Sequence, residues 1–205
     1  MKIKLIDAGK RFNREWIFRH ADLELTSGTA YAITGSNGSG KSTLLQTIGC
    51  LLEPSEGKIS MFEKELELPL EKGYQYMSFC APYLDVVEEM TLVEFFNFHK
   101  EFKPFIADID PKMIIETLEL KSATNKQIRN FSSGMKQRVR LGQAIFSNTP
   151  VVLLDEPCSN LDAAGISLYH QLIREYTSDR LVIVSSNDKV EYGFCQVEIE
   201  INSYK

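Results

Sequence analysis

The chain has 205 residues, 43% hydrophobic and 25% charged, with a formal net charge of −5. This is ordinary globular composition, long enough to bury one full core or a core plus a lobe. The acidic balance and the absence of a Lys/Arg run disfavour a nucleic-acid partner. Apolar runs of at most four residues, as in Val151–Leu154, cannot span a bilayer, and Met1–Asp7 lacks the apolar stretch of a secretory signal.

In chain order, Lys2–Ile6 and Ala21–Leu25 alternate and predict short strands, with the aromatics Phe12, Trp16 and Phe18 between them. Thr29–Thr34 reads as a buried strand. It runs into Gly35-Ser36-Asn37-Gly38-Ser39-Gly40-Lys41-Ser42-Thr43, which matches G-x-x-x-x-G-K-[ST] without a mismatch. Glycines let the backbone curl its N–H groups around an anion. Lys41 adds a point charge for β- and γ-phosphates, and Ser42 a hydroxyl where Mg²⁺ would sit. A helix from Lys41 to about Leu52 aims its positive end at the same place. The alternative, a Gly/Ser-rich turn that binds nothing, accounts less well for the flanking strand and helix. Lys58–Phe62 predicts a further strand, and Tyr74–Cys80 a central one.

From Pro82 to Asn148 strand signals vanish. Thr91-Leu92-Val93-Glu94 has the form of a capping box opening a helix through Phe95, Phe96, Phe98 and Phe102. Asp110-Pro111 opens another through Met113, Ile114, Leu118 and Leu120, and a third runs from about Gly134 to Ser147. Val151–Asp155 and Leu181–Ser185 are expected as buried strands, Ala163–Tyr176 as a helix, and Cys195–Tyr204 as an edge strand. The pattern is an α/β core with an inserted helical lobe.

Asp155 ends an apolar strand, where a carboxylate can hold Mg²⁺, and Glu156 beside it can polarise a water. The competing reading is a capping acid pair before Pro157. Phe131-Ser132-Ser133-Gly134-Met135-Lys136-Gln137-Arg138 places a Ser-Gly turn before a basic helix, which is either a second anion site or an ordinary capped helix start. Cys50, Cys80, Cys158 and Cys195 form no C-x-x-C and read as reduced thiols. His20, His99 and His170 lack metal-ligand spacing.

Together these stretches resemble the ATP-binding cassette ATPases, the nucleotide-binding subunits of ABC transporters, over nearly the whole chain. Gly35–Thr43 is similar to Walker A, Phe131–Arg138 to the signature motif in an exporter-like form, Val151–Glu156 to Walker B with its catalytic glutamate, and Ser159–Asp162 to the D-loop. Phe12 sits where the family carries an adenine-stacking aromatic. The resemblance implies a P-loop NTPase (RecA-like) core with an N-terminal antiparallel β subdomain and an inserted helical subdomain. It implies one nucleotide-binding domain over 1–205, with 1–81 and 149–205 forming the β subdomain and ATP-binding core, and 82–148 the helical subdomain.

The resemblance also implies two cassettes pairing head to tail around two ATP. Lys41 grips the phosphates, Ser42 and Asp155 serve Mg²⁺, and Glu156 activates the water. Ser133 and Gly134 reach the partner's γ-phosphate, and Asp162 belongs to the same interface. Two departures stand out. Cys80 aligns with the Q-loop glutamine that would touch the metal, where a thiol is a poor hard-cation ligand. Asn187 replaces the switch histidine; it can donate a hydrogen bond but cannot shuttle a proton. The expectation is a peripheral ATPase subunit on the cytoplasmic face, driving a separate permease, with a lean towards export. The alternatives are a degenerate cassette that binds ATP with little turnover, or a soluble cassette without a transporter.

Overall fold

The computed structural model describes residues 1–205. In chain order the elements are β1 (Lys2–Phe12), β2 (Glu15–Thr26), β3 (Ala30–Thr34), α1 (Lys41–Ile48), β4 (Glu56–Glu63), β5 (Leu66–Leu68), α2 (Gly73–Tyr76) and β6 (Met77–Cys80). Then follow α3 (Leu92–Phe102), α4 (Pro111–Thr117), α5 (Ser133–Phe146), β7 (Val151–Asp155), α6 (Ala163–Tyr176), β8 (Leu181–Ser185), α7 (Lys189–Tyr192) and β9 (Val197–Glu200). They form two units, one of residues 1–77, 149–155 and 179–205, the other of residues 78–148 and 156–178.

The first unit contains two sheets. An antiparallel sheet has the order β2-β1-β4-β5. Its first two strands are longer than the alternation predicts and absorb Phe12, Trp16 and Phe18. The reason is a set of register shifts between Leu5 and Arg11, which move side chains to the other face and end the period-2 pattern at Ile6. Asp7 and His20 take left-handed conformations there, with φ of 48° and 53°. The Asp7 N–H donates to Asp22 Oδ1 at 2.9 Å, replacing the lost ladder bond.

The second sheet is parallel, with β7 beside β8, β8 beside β3, and β3 beside β9. Val151–Asp155 and Leu181–Ser185 are buried throughout, as expected of strands covered on both faces. Because the strands are parallel, Thr34, Asp155 and Ser185 all lie at the carboxyl end, where loops collect ligands. The expected edge strand is shorter than the tail, Val197–Glu200, and a 3-10 turn follows it.

Further expectations are corrected. Tyr74–Cys80 is not one strand: Gly73–Tyr76 form a helical turn and only Met77–Cys80 are extended. An apolar aromatic run does not distinguish the two, and Tyr74 is 63% exposed. Helix α1 stops at Ile48, short of Leu52. Gly49 is the C-cap, Cys50 after it adopts φ 55°, and the N–H of Leu51 returns to Gln46 O at 2.9 Å, a left-handed turn in which cysteine takes the positive φ that glycine usually supplies.

The second unit is helical. The capping box is present: Glu94 N–H donates to Thr91 Oγ1 at 3.4 Å and Thr91 N–H to Glu94 Oε2 at 2.8 Å. The bond from the Thr91 N–H holds the Glu94 carboxyl below its ordinary range. Asp110 caps α4 by accepting from Met113 N–H at 2.8 Å, but α4 ends at Thr117 because Glu119 turns left-handed at φ 58°. Leu118 and Leu120 lie beyond it and are still buried, as are Phe96, Ile114, Leu141 and Ile145 of the helices.

Candidate functional site

The loop between β3 and α1 curls at residues whose backbone demands it. Gly40 has φ 103° and a Cβ there would lie 2.3 Å from Ile17 Cγ2; Gly38 has φ 75° and open space where a side chain would be. Gly40 is also the N-cap of α1 and supplies no side-chain bond, so the N–H groups of the first turn face the loop's interior. Lys41 is 6% exposed, and its Nζ donates to Gly35 O at 3.0 Å and Ser36 O at 3.1 Å. A buried ammonium held only by carbonyls, above an uncapped helix start, favours an anion of high charge density.

Ser36, Asn37 and Gly38 form an exposed rim, Ser42 and Thr43 are half-buried, and Asp155 is enclosed at the end of β7. Opposite Asp155 in the sheet register is Ser185. Ser185 Oγ and Ser39 Oγ are buried with no hydrogen-bond partner. Open cradle, uncapped helix, ammonium, carboxylate and two unanswered hydroxyls suit a nucleotide phosphate with its Mg²⁺. Asn187 is exposed and donates from Nδ2 to Asn37 Oδ1 at 3.0 Å, so the structure joins Asn187 to the rim of the loop. Phe12 is 47% exposed, with Lys10 Nζ 5.4 Å from its ring centroid, leaving an accessible aromatic face.

Glu156 is exposed and follows Asp155 with φ 42°. Ser159 Oγ donates to Glu156 Oε2 at 3.4 Å. In the same unit a cleft of about 430 Å³ gathers Ser133, Gly134, Met135, Arg138, Asn160 and Asp162. Gly134 is required there, since a Cβ would lie 2.9 Å from Asn160 O. Asp162 caps α6 by accepting from Gly165 N–H at 2.8 Å. Arg138 is occupied, donating to Glu119 Oε2 at 2.7 Å and Leu118 O at 3.3 Å, so the exposed Ser132–Ser133 start of α5 keeps its own polarity.

Cys80 is wholly buried, with Gln137 Nε2 3.7 Å from its Sγ. Burial raises the Cys50 and Cys195 thiols to about 11 and about 12, and no two cysteines are joined in a disulfide. Sequence reasoning passed over three residues. Ser132 is the cap of α5, accepting from Met135 N–H at 3.3 Å; the capping rule could have found it. Gln137 lies in the quoted Phe131–Arg138 stretch and Ser185 ends the predicted strand, but nothing local assigns either a role; their burial does.

The profile of the family described as ABC transporter matches residues 18–159. An uncharacterized ABC transporter ATP-binding protein of Bacillus subtilis (YybJ) is 28% identical over 98% of this chain and 92% of its own length. The cytochrome c biogenesis ATP-binding export protein CcmA of Brucella abortus is 30% identical over 88% of this chain and 82% of its own. Among solved structures, an ABC transporter ATP-binding protein from Pyrococcus furiosus aligns with TM-score 0.82 at 22% identity, covering 100% of both chains. An ATP-binding cassette solved as a dimer bound to ADP and Pi aligns at TM-score 0.80 and 23% identity, over 97% of this chain and 94% of that one. No helix is long and apolar enough to cross a membrane. The loop, the sheet that carries it and these matches lead to one conclusion: the chain belongs to the ABC transporter family, as an ATP-binding ATPase subunit.

Proposed function

We propose that this chain is the motor of a transporter whose membrane permease is a separate chain, and that it works as a head-to-tail pair around two Mg-ATP. The observation that carries this is the curled loop with its buried Lys41 ammonium at an uncapped helix start. In this reading Gly35–Thr43 wrap the phosphates, Phe12 stacks on adenine, and Ser42 and Asp155 hold Mg²⁺, which would neutralise phosphate charge. Cys80 takes the Q-loop position but offers the ion no accessible oxygen. Glu156 orients the attacking water and receives its proton, while Asn187 leaves Asn37 to donate its amide to the γ-phosphate. Ser133, Gly134 and Asp162 serve the partner's nucleotide. A single domain divided as 1–81 with 149–205, and 82–148, suits this design. The site of action is the cytoplasmic face of the cell membrane, and the direction is export, which the name of the Brucella export protein carries for that relative.

Steady-state ATP hydrolysis by the purified chain tests the proposal beside Glu156→Gln and Asn187→His. Loss of turnover in the Glu156 variant by at least about a hundredfold is expected, with little change in the Asn187 variant. Wild-type turnover in Glu156→Gln removes the role given to Glu156. A second reading, a cassette of low turnover, is favoured by the Asn187–Asn37 bond, which occupies the switch amide. It predicts that histidine at 187 raises turnover at least about tenfold.

A further inference from the structure

Gln137 lies in α5 at 0% exposure. A buried amide is tolerated only when its atoms are answered, and this one is answered at both ends. Arg140 Nη1 donates to Gln137 Oε1 at 3.3 Å. Gln137 Nε2 donates to Pro157 O at 2.8 Å and approaches Cys80 Sγ at 3.7 Å. A guanidinium can only donate, so the amide oxygen must face Arg140 and the NH₂ must face Pro157. Arg140 is itself fixed by donating from Nε to Leu84 O at 2.6 Å.

Pro157 follows Glu156, the exposed residue with φ 42°. A non-glycine residue in that region is strained and persists only where its neighbours over-determine it. Two backbone bonds shape the turn behind it, Ser159 N–H to Glu156 O at 3.1 Å and Leu161 N–H to Cys158 O at 3.0 Å. The Gln137 bond anchors that turn from outside it.

We infer that Gln137 is a positioning residue for Glu156: its amide clamps the Pro157 carbonyl, holds the strained Glu156 backbone in place, and through Arg140 ties that loop to Leu84. This rests on the reading of Glu156 given above. The Leu84 end is a surface, with Tyr83 51% and Val87 40% exposed. The segment around residue 84 therefore reaches the loop after Glu156 through Arg140 and then the buried Gln137 amide, and a displacement of the first alters the acceptor geometry of the second.

The test uses amide hydrogen exchange and ATP hydrolysis on the full chain, comparing wild type with Gln137→Met, Arg140→Met and Glu156→Gln. Gln137→Met keeps the volume and removes the donor. It is expected to speed exchange of the Ser159 and Leu161 amides about tenfold, and to lower kcat about tenfold with KM for ATP unchanged. Arg140→Met keeps the aliphatic stem and loses the group that orients the amide. About threefold faster exchange at the same two amides is expected, which decides the matter should Gln137→Met not fold. Unchanged exchange at Ser159 and Leu161 in a folded variant overturns the inference, as does a loss confined to KM. Wild-type hydrolysis in Glu156→Gln overturns the role of Glu156 instead, and leaves the exchange result to judge the clamp alone.

Discussion

His99 shows how burial fixes a protonation state. Its ring is largely buried on α3, and desolvation pushes its pKa from 6.5 down to about 4, with Lys103 adding to the effect. Gln143 Nε2 lies 3.2 Å from His99 Nδ1, and Ser147 Oγ lies 2.9 Å from Nε2. Ser147 Oγ donates to Gln143 O at 2.6 Å. The amide therefore donates to Nδ1, and the neutral ring donates from Nε2 to the hydroxyl. In the unfolded chain the imidazole binds a proton below about pH 6.5, while the folded one stays neutral to about pH 4. Its contribution to stability is present above pH 6.5 and is lost as pH falls through that window, about 2 kcal/mol by pH 5. Denaturant melts at pH 7 and pH 5 should show this loss in wild type and a smaller one in His99→Gln. The other residue-scale prediction concerns Lys41: Lys41→Ala is expected to weaken ATP binding at least about a hundredfold, measured by calorimetry, and unchanged affinity would remove the phosphate-site assignment.

At the scale of elements, close approach decides what a helix tolerates. A Cβ at Gly142, within α5, would sit 2.5 Å from Leu118 Cδ1, and Leu118 is fully buried. Gly142→Ala gains helix propensity but overpacks this contact; a net loss of about 1–3 kcal/mol is expected by denaturant unfolding. Elements whose signals are local were legible in the sequence: the Thr91/Glu94 box, the Asp110-Pro111 start, and the apolar runs at 151–155 and 181–185. So was the loop at Gly35–Thr43, because its chemistry is carried by nine consecutive residues. What depends on tertiary contact was not legible. The β1–β2 bulges hide in a broken alternation, the left-handed turn after α1 falls on Cys50 and not on the C-cap Gly49, and Gln137 meets Cys80 and Pro157 only after folding.

At the scale of the whole molecule, the proposal requires a second copy. In that proposal the Ser133–Gly134 helix start of one chain covers the γ-phosphate of ATP held by the loop of the other, so slowing hydrolysis should trap the pair. Glu156→Gln with Mg-ATP is expected to elute from gel filtration at twice the wild-type mass, and a profile that stays monomeric counts against the head-to-tail pair. The phosphate loop also has a floor drawn from distant parts of the chain. Ile17 of β2 lies under Gly40, and Ile201, just past β9 and fully buried, lies under Gly35. No nucleotide motif includes either residue, yet the loop rests on both. Trimming the chain to residue 200, or straining Ile201 with a fused tag, should read out as weaker nucleotide affinity in a protein whose motifs are all intact.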